Sequence, residues 1–529
     1  MNVAVIGGGI AGITTTLELL RRATQEAAAP SINKITLIEQ ASRTGHADSA
    51  SGAVSATMCF ANPSNHWNDF TDATTWEYDA SERLARFAKN YASAAACDCR
   101  TKADSIDMWF VQAQTRLETI LDTFPELCPA VAGPFCCRPG SPAMQWLQTE
   151  NRTEQCRETG ILHVFKDLAK WEKANTRTSE EKNYTTLNAP LPLLAALGDD
   201  AHQARGALLD AVRQGFIRTS NFYRIAQRIF DRHGELVHSL TGCNVARVAR
   251  VAPPATNQQQ NLQIVMACGD VRDEANNTHF DRVVVANGVS SVKLLQASGA
   301  GVDLADELFP VKGFALYTES EVVPQDERNL GIIDQTTYQY IAPQNGGGVK
   351  LGFGKIFGTF DDELLTPTWT GWDDVQGGPK ESALGRALLN DIRTERAAGY
   401  RPLGMYGAFP VIRSWQNSEH DGMFLNTGGG FYGFSSSWQA AYLVADLVLH
   451  GESSQPEWEL AYDTPARDEH EHSVLAAITG DKPKAQVACT RPPRTSAASS
   501  PFQTRACAST ALLAVLAAHV LSLCSNGCL

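Results

Sequence analysis

The sequence lacks a block of charge of either sign. Its 45 Lys and Arg residues and 58 Asp and Glu residues give a formal net charge of −13, and both kinds are spread along the chain. Nucleic-acid binding draws its electrostatic attraction from clustered basic side chains, and this chain has no such cluster. We therefore expect no nucleic-acid partner.

The sequence also lacks the cysteine patterns of two common kinds of site. Its 13 cysteines do not form the dense framework of a small secreted scaffold. Cys97, Cys99, Cys136 and Cys137 have no partner pairs at zinc-finger spacing. The pattern predicts reduced thiols and no metal site.

A cleaved signal peptide has no room at the start of the chain. The apolar run from Asn2 to Ile6 indicates a strand almost at the first residue, so no charged region and apolar core precede it. This favours a cytoplasmic location for the catalytic body.

The end of the chain differs in composition from the rest. Residues 453–529 are rich in Ala, Ser, Thr and Pro without a sustained period, which predicts a disordered tail. Its apolar end, residues 506–523, is at the lower edge of the about 20 residues that span a bilayer. Weak membrane association through this tail is one hypothesis, and a partly helical or buried end is the other.

A strand, a glycine turn and a helix open the chain. Asn2 to Ile6 is followed by Gly7-Gly8-Gly9-Ile10-Ala11-Gly12 and then by a helical pattern. Gly7, Gly9 and Gly12 have the spacing of a dinucleotide site: one for the tight turn, one for close approach of the pyrophosphate, and one for packing of the helix on the strand. The helix N-terminus stabilises the phosphates electrostatically.

An acidic residue ends the next predicted strand. Glu39 follows Ile35 to Ile38, where a carboxylate accepts hydrogen bonds from a ribose with a free 2′-hydroxyl and repels a 2′-phosphate. FAD and NAD fit this position and NADP fits poorly. The alternative is a solvated Glu after a strand.

Two later patterns complete the predicted architecture. Phe309 to Phe357 contains alternating and β-branched runs between Pro and Gly turns, which favours an antiparallel sheet. Thr427-Gly428-Gly429-Gly430-Phe431-Tyr432-Gly433 then opens a helix that Gly451 closes. This second glycine-rich entry has no role in an NAD-dependent dehydrogenase, which disfavours that class.

These patterns predict an α/β protein with two domains. A Rossmann-like FAD-binding domain is expected from residues 1–75, 215–308 and 400–452. A second, α+β substrate domain on a mixed or antiparallel sheet is expected from residues 76–214 and 309–399.

The chain resembles the D-amino-acid dehydrogenase and glycine/sarcosine oxidase family, which is D-amino-acid-oxidase-like, over about residues 1–452. The matching segments occur in the family's order, and they are the N-terminal strand–turn–helix–strand unit, Ala50 to Ala53, Thr159 to Phe165, Asp281 to Gly288, Phe309 to Gly313 and Phe424 to Gly428.

The resemblance implies an FAD-dependent enzyme with cofactor contacts along the whole match. It implies that the diphosphate lies at Gly7 to Gly12, with Gly7, Gly9, Ile10, Ala11 and Gly12 as contacts, and the ribose at Glu39. The remaining contacts that it implies are Ser51 and Gly52 near the diphosphate, Val245 near the adenine, Gly288, and Gly429, Gly430, Phe431 and Gly433 near the flavin.

Arginine is the expected anchor for a substrate carboxylate, because its planar fork makes two parallel hydrogen bonds. Arg401 and Arg413 precede the second glycine motif and are the candidates, with a surface role as the alternative. Tyr338 and Tyr340 alternate with polar residues on a predicted strand, so they face either the substrate or the core. Lys312 is a weaker candidate, because a Lys between Pro and Gly in a turn is usually solvated.

The resemblance therefore implies oxidative deamination of an amino acid, in particular a D-amino acid, with oxygen or a quinone as electron acceptor. Oxidation of secondary amines of the sarcosine or glycine kind is an alternative, and so is a flavin-fold protein without turnover. The chain departs from the family's pattern at residues 401–410 and at Gly215 to Thr219, where a common acidic residue is missing. Because of these departures, the resemblance does not determine the identity of the substrate.

Overall fold

The fold is taken from a computed structural model. It describes residues 1–25, 32–42, 53–55, 99–156, 159–172, 184–187, 206–210, 214–251, 262–268, 278–300, 304–319, 330–337, 339–344, 347–357, 378–404, 410–415 and 420–451.

The described residues include twenty strands. In chain order they are β1 Asn2–Ile6, β2 Lys34–Ile38, β3 Ala53–Ser55, β4 Val131–Ala132, β5 Gly160–Phe165, β6 Tyr184–Leu187, β7 Gly206–Asp210, β8 Gln214–Ile217, β9 Val237–Leu240, β10 Cys243–Arg250, β11 Leu262–Cys268, β12 Thr278–Phe280, β13 Arg282–Val285, β14 Leu308–Thr318, β15 Leu330–Asp334, β16 Tyr340–Pro343, β17 Val349–Phe357, β18 Glu395–Gly404, β19 Val411–Ser414 and β20 Met423–Thr427.

The α-helices are α1 Ile10–Gln25, α2 Cys99–Thr123, α3 Pro142–Thr149, α4 Thr219–Arg232, α5 Ser291–Ala297, α6 Leu304–Glu307, α7 Ala383–Asn390 and α8 Gly433–His450. Short 3-10 helices occupy Pro125–Ala130, Pro134–Cys136, Thr153–Cys156, Gly288–Ser290, Pro379–Glu381 and Gly430–Tyr432.

A six-stranded sheet has the order β19-β20-β13-β1-β2-β9. Its strands are parallel except β19, which runs antiparallel to β20 at one edge. The inner strands read as continuous apolar runs because helices cover both faces of such a sheet. β1 shows this pattern, with Val3, Ala4 and Val5 fully buried.

Helix α1 packs on this sheet although it is rich in threonine. Thr14, Thr15 and Thr16 are fully buried, and the hydroxyl of each donates to the carbonyl four residues earlier at 2.7–2.8 Å. These bonds satisfy polar groups that would otherwise be costly to bury. The helix therefore tolerates residues of low helix propensity at its most enclosed turn.

Charged side chains fix α1 to α8. Arg22, which is 3% exposed, donates to Glu18 within α1 at 2.8 Å and forms an ion pair with Asp446 of α8. Its guanidinium also lies 4.5 Å from the ring centroid of Tyr442. Buried charges persist only when they are paired in this way. The two helices that follow glycine turns are thus held side by side.

An eight-stranded mixed sheet has the order β18-β14-β17-β16-β15-β5-β7-β6, with only the β15–β5 pair parallel. One of its faces carries an apolar core against α7 that includes Leu162, Phe314, Leu316, Ile332, Ile341, Leu351, Phe353, Leu384 and Leu388. The α/β class with a parallel Rossmann-like sheet and a second mixed sheet, expected from the sequence, is confirmed.

The opposite face of the eight-stranded sheet differs in character, and we call it the site face. Directly paired residues on antiparallel strands share a face, so the register places a continuous row on it from β18 to β5: Ala397, Ala315, Gly352, Tyr340, Ile333 and His163. Small residues and polar side chains replace the large apolar ones of the other face.

Two three-stranded sheets complete the fold. One has the order β10-β11-β12, and the other has the order β3-β8-β4. In the second, Phe216 and Ala132 pack against Ile161, Tyr340 and Ala342. This small sheet therefore covers the Tyr340 end of the site face.

The expectation of reduced thiols is wrong for six cysteines. Disulfide bonds join Cys128 to Cys136, Cys137 to Cys156, and Cys243 to Cys268. Cys136 and Cys137, which have no zinc-finger partners in the sequence, instead bond in opposite directions to cysteines brought near by 3-10 helices. Cys243 and Cys268 are directly opposite on β10 and β11. Tertiary proximity that spacing does not reveal explains the difference.

In the described part of the chain, no helix is long and apolar enough to cross a membrane. Residues 453–529, including the apolar stretch 506–523, lie outside the described residues.

Candidate functional site

The first glycine turn, Gly7 to Gly12, connects β1 to α1 in a conformation that needs glycine. Gly7 has a φ of +111°, a backbone region that side chains disfavour. A Cβ on Gly12 would stand 1.8 Å from the carbonyl oxygen of Gly7. The first turn of the helix therefore packs directly against the glycine turn, as the sequence spacing predicts.

Gly9 is the exception within this turn, because a Cβ placed on it would meet nothing within 4 Å. The other two glycines of the motif are explained by contacts inside the protein, but Gly9 is not. Open space beside a backbone at a helix N-terminus, where Ile10 and Ala11 begin α1, is the arrangement that a diphosphate requires.

Glu39 lies at the end of β2 beside the first glycine turn. One carboxylate oxygen accepts from the backbone N–H of Gly8 at 2.5 Å, and the other accepts from Ala41 at 2.8 Å. These bonds fix the carboxylate while the residue stays partly exposed. The carboxylate is therefore fixed beside the first glycine turn, and its contact with a ribose stays a prediction.

The second glycine turn, Gly428 to Gly433, lies beside the first. A Cβ on Gly433 would stand 3.7 Å from Cγ2 of Ile10, so the N-terminal ends of α8 and α1 meet. The amide of Asn426 donates to the hydroxyl of Thr15 at 3.1 Å. Two helix N-termini, each with a partial positive charge, therefore face one region.

A third glycine turn follows β13 at Gly288, which has a φ of +62°. The hydroxyl of Thr427 donates to the carbonyl oxygen of Gly288 at 3.0 Å. Together the three turns form a cradle of backbone groups at the carboxyl edge of the parallel strands, which is where dinucleotides bind in doubly wound sheets. The residues present fit FAD.

The eight-stranded sheet is joined to this cradle by the end of β18. Leu403 forms an isolated antiparallel bridge with Gly429, and the N–H of Gly404 donates to the carbonyl oxygen of Gly428 at 3.2 Å. Pro402 lies 4.0 Å from the point where a Cβ on Gly288 would stand. The segment after Arg401 thus contacts two of the three glycine turns.

Arg401 itself lies on the site face. Its guanidinium atoms occupy the space above Gly313, 2.3–2.5 Å from where a Cβ on that residue would stand. One guanidinium nitrogen donates to the carbonyl oxygen of Gly354 at 3.3 Å. Burial lowers the pKa of Arg401 to about 10, so the side chain is still a cation at neutral pH. The side chain is partly buried, and its role as a carboxylate anchor stays a prediction.

Arg413, the other candidate anchor, is already committed to an internal ion pair. Its guanidinium pairs with the carboxylate of Glu307 at the end of α6. A bidentate bond to a substrate would have to displace this partner. The structure therefore favours Arg401 of the two.

The structure describes only one of the two candidate tyrosines, Tyr338 and Tyr340. Tyr340 is 6% exposed and lies on the site face, where burial raises its pKa well above the ordinary value and nearby Arg218 opposes that shift. Tyr338 lies outside the described residues, and so do Ser51 and Gly52.

Lys312 is not a solvated turn residue. It is 1% exposed within β14, and its ammonium lies 5.8 Å from the ring centroid of Tyr400 and 5.9 Å from that of Phe314. The segment before Gly313 is a strand rather than a turn, which explains the burial. Val245 is at the bulge of β10 against β11, and the backbone of Phe431 is in the 3-10 helix Gly430–Tyr432.

Three polar residues of the buried interior were not predicted from the sequence. His163, on the site face, is held between Gln214 and Gln335 at 2.8 Å on each ring nitrogen. Arg218 precedes α4, and Lys350 on β17 donates to the hydroxyl of Thr219 at 3.0 Å. The only signal for Arg218 was the missing acidic residue between Gly215 and Thr219.

The fold and the three glycine turns define a dinucleotide-binding protein. A family model described as "FAD dependent oxidoreductase" matches residues 2–447. The chain belongs to this family, and its cofactor is FAD.

Solved structures are similar to this chain at low identity. Glycine oxidase from Geobacillus kaustophilus is 13% identical, with 88% of this chain and 99% of that chain covered and a TM-score of 0.50. L-proline dehydrogenase from P. horikoshii is 16% identical, with 91% and 98% covered and a TM-score of 0.49. Iminodiacetate oxidase from Chelativorans sp. BNC1 is 15% identical, with 88% and 97% covered and a TM-score of 0.49. No curated protein sequence matches this chain.

Proposed function

We propose that this flavoenzyme oxidises the carbon–nitrogen bond of an amino acid, in particular a D-amino acid, to an imino acid that water converts to a keto acid and ammonia. The observation that carries the proposal is the position of Arg401. It is a cationic fork on the site face, two residues from the bridge between Leu403 and Gly429. A carboxylate bound there lies on the strand that reaches the cofactor cradle.

When bound, FAD would supply the electron transfer, namely removal of a hydride from the carbon that bears the nitrogen and delivery of its two electrons to oxygen or a quinone. The chain's own residues bind and orient. Arg401 binds the substrate carboxylate through two parallel hydrogen bonds. Tyr340 keeps its proton, because burial raises its pKa, and its hydroxyl acts as a donor. A substrate held in this way needs little acid–base assistance once its amine is neutral.

The cofactor roles are proposed on the same grounds. Gly7, Gly9, Ile10, Ala11 and Gly12 would hold the diphosphate, and Glu39 would accept from the ribose. Further proposed contacts are Ser51, Gly52, Val245, Gly288, Gly429, Gly430, Phe431 and Gly433. The N-terminus of α8 would stabilise negative charge on the reduced ring.

Support for an amino-acid substrate comes from two sources. The position of Arg401 on the site face, with its guanidinium over Gly313 and a hydrogen bond to Gly354, is one. The other is that glycine oxidase from Geobacillus kaustophilus, by its name, acts on an amino acid. The division into a cofactor domain (residues 1–75, 215–308 and 400–452) and a substrate domain (76–214 and 309–399) is part of the same proposal.

Anaerobic titration of the FAD-loaded chain with three families of amines tests the proposal. D-amino acids, L-amino acids and N-methyl amino acids are added separately, and loss of flavin absorbance near ~450 nm is followed. Bleaching by D-amino acids is the expected result. Bleaching by N-methyl amino acids alone would assign a secondary-amine oxidase, and a flavin that no amine bleaches would indicate a protein without turnover.

A further inference from the structure

The glycine beneath the guanidinium of Arg401 is not required by its own backbone. Gly313 does not have a positive φ, so other residues can adopt its conformation. What excludes a side chain is the guanidinium, because a Cβ on Gly313 would stand 2.3 Å from its Cζ and Nη2 atoms and 2.5 Å from its Nη1 atom. The position is therefore open only to a residue without a side chain while Arg401 lies above it.

The same three distances give the orientation of the guanidinium. No point in the plane of that group lies 2.3–2.5 Å from Cζ and from both Nη atoms at once, so the point where the Cβ would stand is above the plane. The guanidinium of Arg401 therefore turns its flat face to Gly313. Its N–H donors lie in the plane and point away from the glycine.

A β-bulge in β17 supplies a second contact to the guanidinium. The register of β14 against β17 shifts at Gly313, where two residues of β17, Gly354 and Lys355, oppose one. Gly354 has a φ of +71°, as the first residue of a glycine bulge does. Its carbonyl oxygen accepts from Nη1 of Arg401 at 3.3 Å. The bulge therefore directs a backbone acceptor at one end of the fork.

An added methyl group at Gly313 would displace the guanidinium rather than the sheet. Carbon atoms pack at about 3.5–4.0 Å, so Gly313→Ala needs about 1 Å more space than is present. The atoms in the way belong to the end of the flexible Arg401 side chain and not to the backbone. The fold is therefore expected to survive this substitution while the guanidinium moves.

We infer that Gly313 and the bulge at Gly354 are positioning residues, which form a seat for Arg401 and fix the plane in which it binds a substrate carboxylate. A carboxylate that accepts two parallel hydrogen bonds lies in the plane of the guanidinium. Fixing the guanidinium therefore fixes the carboxylate, and with it the direction of the bond to the α-carbon. The inference rests on the proposed function, because it takes the substrate carboxylate to bind Arg401.

The arginine seat adds an orientation that a positive charge alone does not provide. A lysine ammonium is a point charge on a flexible stem, whereas a planar fork held in one orientation aligns the carboxylate that it binds. A misplacement of about 1 Å can cost about 100-fold in rate. We therefore expect a change at Gly313 to affect carboxylate ligands, and to do so only through Arg401.

A binding measurement tests the arginine seat without turnover. Butyrate is titrated into the FAD-loaded full chain and followed by perturbation of the flavin absorption spectrum. Gly313→Ala is expected to weaken butyrate about tenfold or more, because the fork is displaced. Gly234→Ala is the matched control, since Gly234 is exposed and an added Cβ would lie 3.3 Å from the carbonyl oxygen of Asp231. An unchanged butyrate affinity in Gly313→Ala overturns the inference.

A double-mutant cycle distinguishes positioning from general packing. In the background of Arg401→Lys, which has no plane to orient, Gly313→Ala is expected to change the butyrate affinity less than about threefold. A loss by the same factor in both backgrounds means that the two residues act independently, and it overturns the inference. The cycle stays decisive if Gly313→Ala melts earlier than the parent, because a general loss of packing affects both backgrounds.

Two variants of Gly354 test the bulge. Asn adopts a positive φ far more readily than a β-branched residue, so Gly354→Asn is expected to keep more of the butyrate affinity than Gly354→Val. The additional loss in Gly354→Val should disappear in the Arg401→Lys background. Equal affinities in the two Gly354 variants, or an additional loss that persists with lysine, contradict the role of the bulge.

Kinetics of anaerobic flavin reduction separate this inference from the proposed function. With D-alanine, Gly313→Ala is expected to raise the half-saturating concentration and to lower the limiting rate, because the α-carbon is misplaced. Reduction that is unaffected by Gly313→Ala overturns the arginine seat and leaves the proposed function standing. A parent flavin that no amino acid reduces, with a butyrate affinity that depends jointly on Gly313 and Arg401, refutes the proposed function and leaves the seat standing.

Discussion

Leu403 forms an antiparallel bridge with Gly429, and this contact joins the strand that carries Arg401 to the second glycine turn. The guanidinium of Arg401 projects onto the site face over Gly313, while Leu403, two residues later, is 1% exposed. A shift of β18 would move the anchor and the turn together. The short segment from Arg401 to Leu403 therefore links the position of the anchor to that of the second glycine turn.

Arg401→Met is expected to weaken binding of amino acids by about 3 kcal/mol, roughly 100-fold, because a bidentate cation for the carboxylate is lost. Amines that lack a carboxylate should lose much less. Half-saturating concentrations for anaerobic flavin reduction measure both. Arg396→Met is the control on the same strand, because Arg396 is exposed and lies opposite Leu316 in the strand register. A loss of affinity equal to that of Arg401→Met would contradict the assignment of Arg401.

Two alanine variants of the first glycine turn should behave in opposite ways. Gly12→Ala would place a Cβ 1.8 Å from the carbonyl oxygen of Gly7, and it should destabilise the chain by about 3 kcal/mol or more, even without cofactor. Gly9→Ala meets no protein atom within 4 Å, so the chain should melt normally but bind FAD poorly. Thermal denaturation without FAD and fluorescence titration with FAD separate the two effects. Normal FAD binding by Gly9→Ala would argue against a diphosphate at this turn.

Glu39→Gln should lower the affinity for FAD by about 1.5 kcal/mol, roughly tenfold, because a charged acceptor for the ribose hydroxyl becomes neutral. Only one of the two hydrogen bonds from Gly8 and Ala41 can persist, because the amide nitrogen of Gln does not accept, so a small fall in melting temperature is expected without cofactor. Glu235→Gln, at a side chain that is 69% exposed, is the matched control. An affinity for FAD unchanged in Glu39→Gln would exclude the ribose contact.

His163 should make the fold sensitive to acid. Burial lowers its pKa from 6.5 to about 4, so the folded chain keeps a neutral ring while the unfolded chain takes up a proton as the pH falls below 6.5. The contribution of the neutral His163 ring to the free energy of unfolding is fully present above pH 6.5. It falls by about 2 kcal/mol between pH 7.5 and pH 5 and is lost towards pH 4. Urea unfolding of the parent, His163→Gln and the exposed-site control His238→Gln measures this, and an unchanged pH dependence in His163→Gln would disprove it.

Reduction of the disulfides should lower stability without moving the glycine turns. The Cys137–Cys156 and Cys243–Cys268 bonds close loops with sequence separations of 19 and 25, which corresponds to about 3 kcal/mol each in the loop-entropy description. Thermal denaturation with and without a phosphine reductant tests this. Mass spectrometry after alkylation identifies the paired cysteines, and free alkylation of Cys128, Cys136, Cys137, Cys156, Cys243 and Cys268 in the native chain would refute the pairing.

The cofactor cradle was the part of the site most accessible from sequence. Gly7, Gly9 and Gly12 act within a few residues of one another, so spacing alone carries their geometry. The carboxylate anchor was harder to predict, because Arg413 is committed to an ion pair with Glu307, which is 106 residues away in the sequence. Only the folded chain brings that carboxylate to it.

Errors arose where a property depends on contacts distant in sequence. Lys312 stands between Val311 and Gly313 after a proline, a pattern typical of an exposed turn, yet β17 and β18 flank it on both sides. Arg218 has only a missing acidic residue as a local signal, and the burial that lowers its pKa and the tyrosine that opposes this shift, Tyr340 of the eight-stranded sheet, come from the folded chain. The pairing of Cys128 with Cys136 likewise depends on how 3-10 helices turn the chain back.

The bonds of Cys136 and Cys137 have a practical consequence for producing this protein. The four cysteines between residues 128 and 156 allow three pairings, and neighbours in sequence that must bond in opposite directions compete for the same partners. We expect a reducing bacterial cytosol to leave these cysteines unpaired, and an oxidising compartment with a disulfide isomerase to allow the observed pairing. A preparation without flavin colour is therefore evidence about the flavin site only when it comes from a host in which the disulfides have formed.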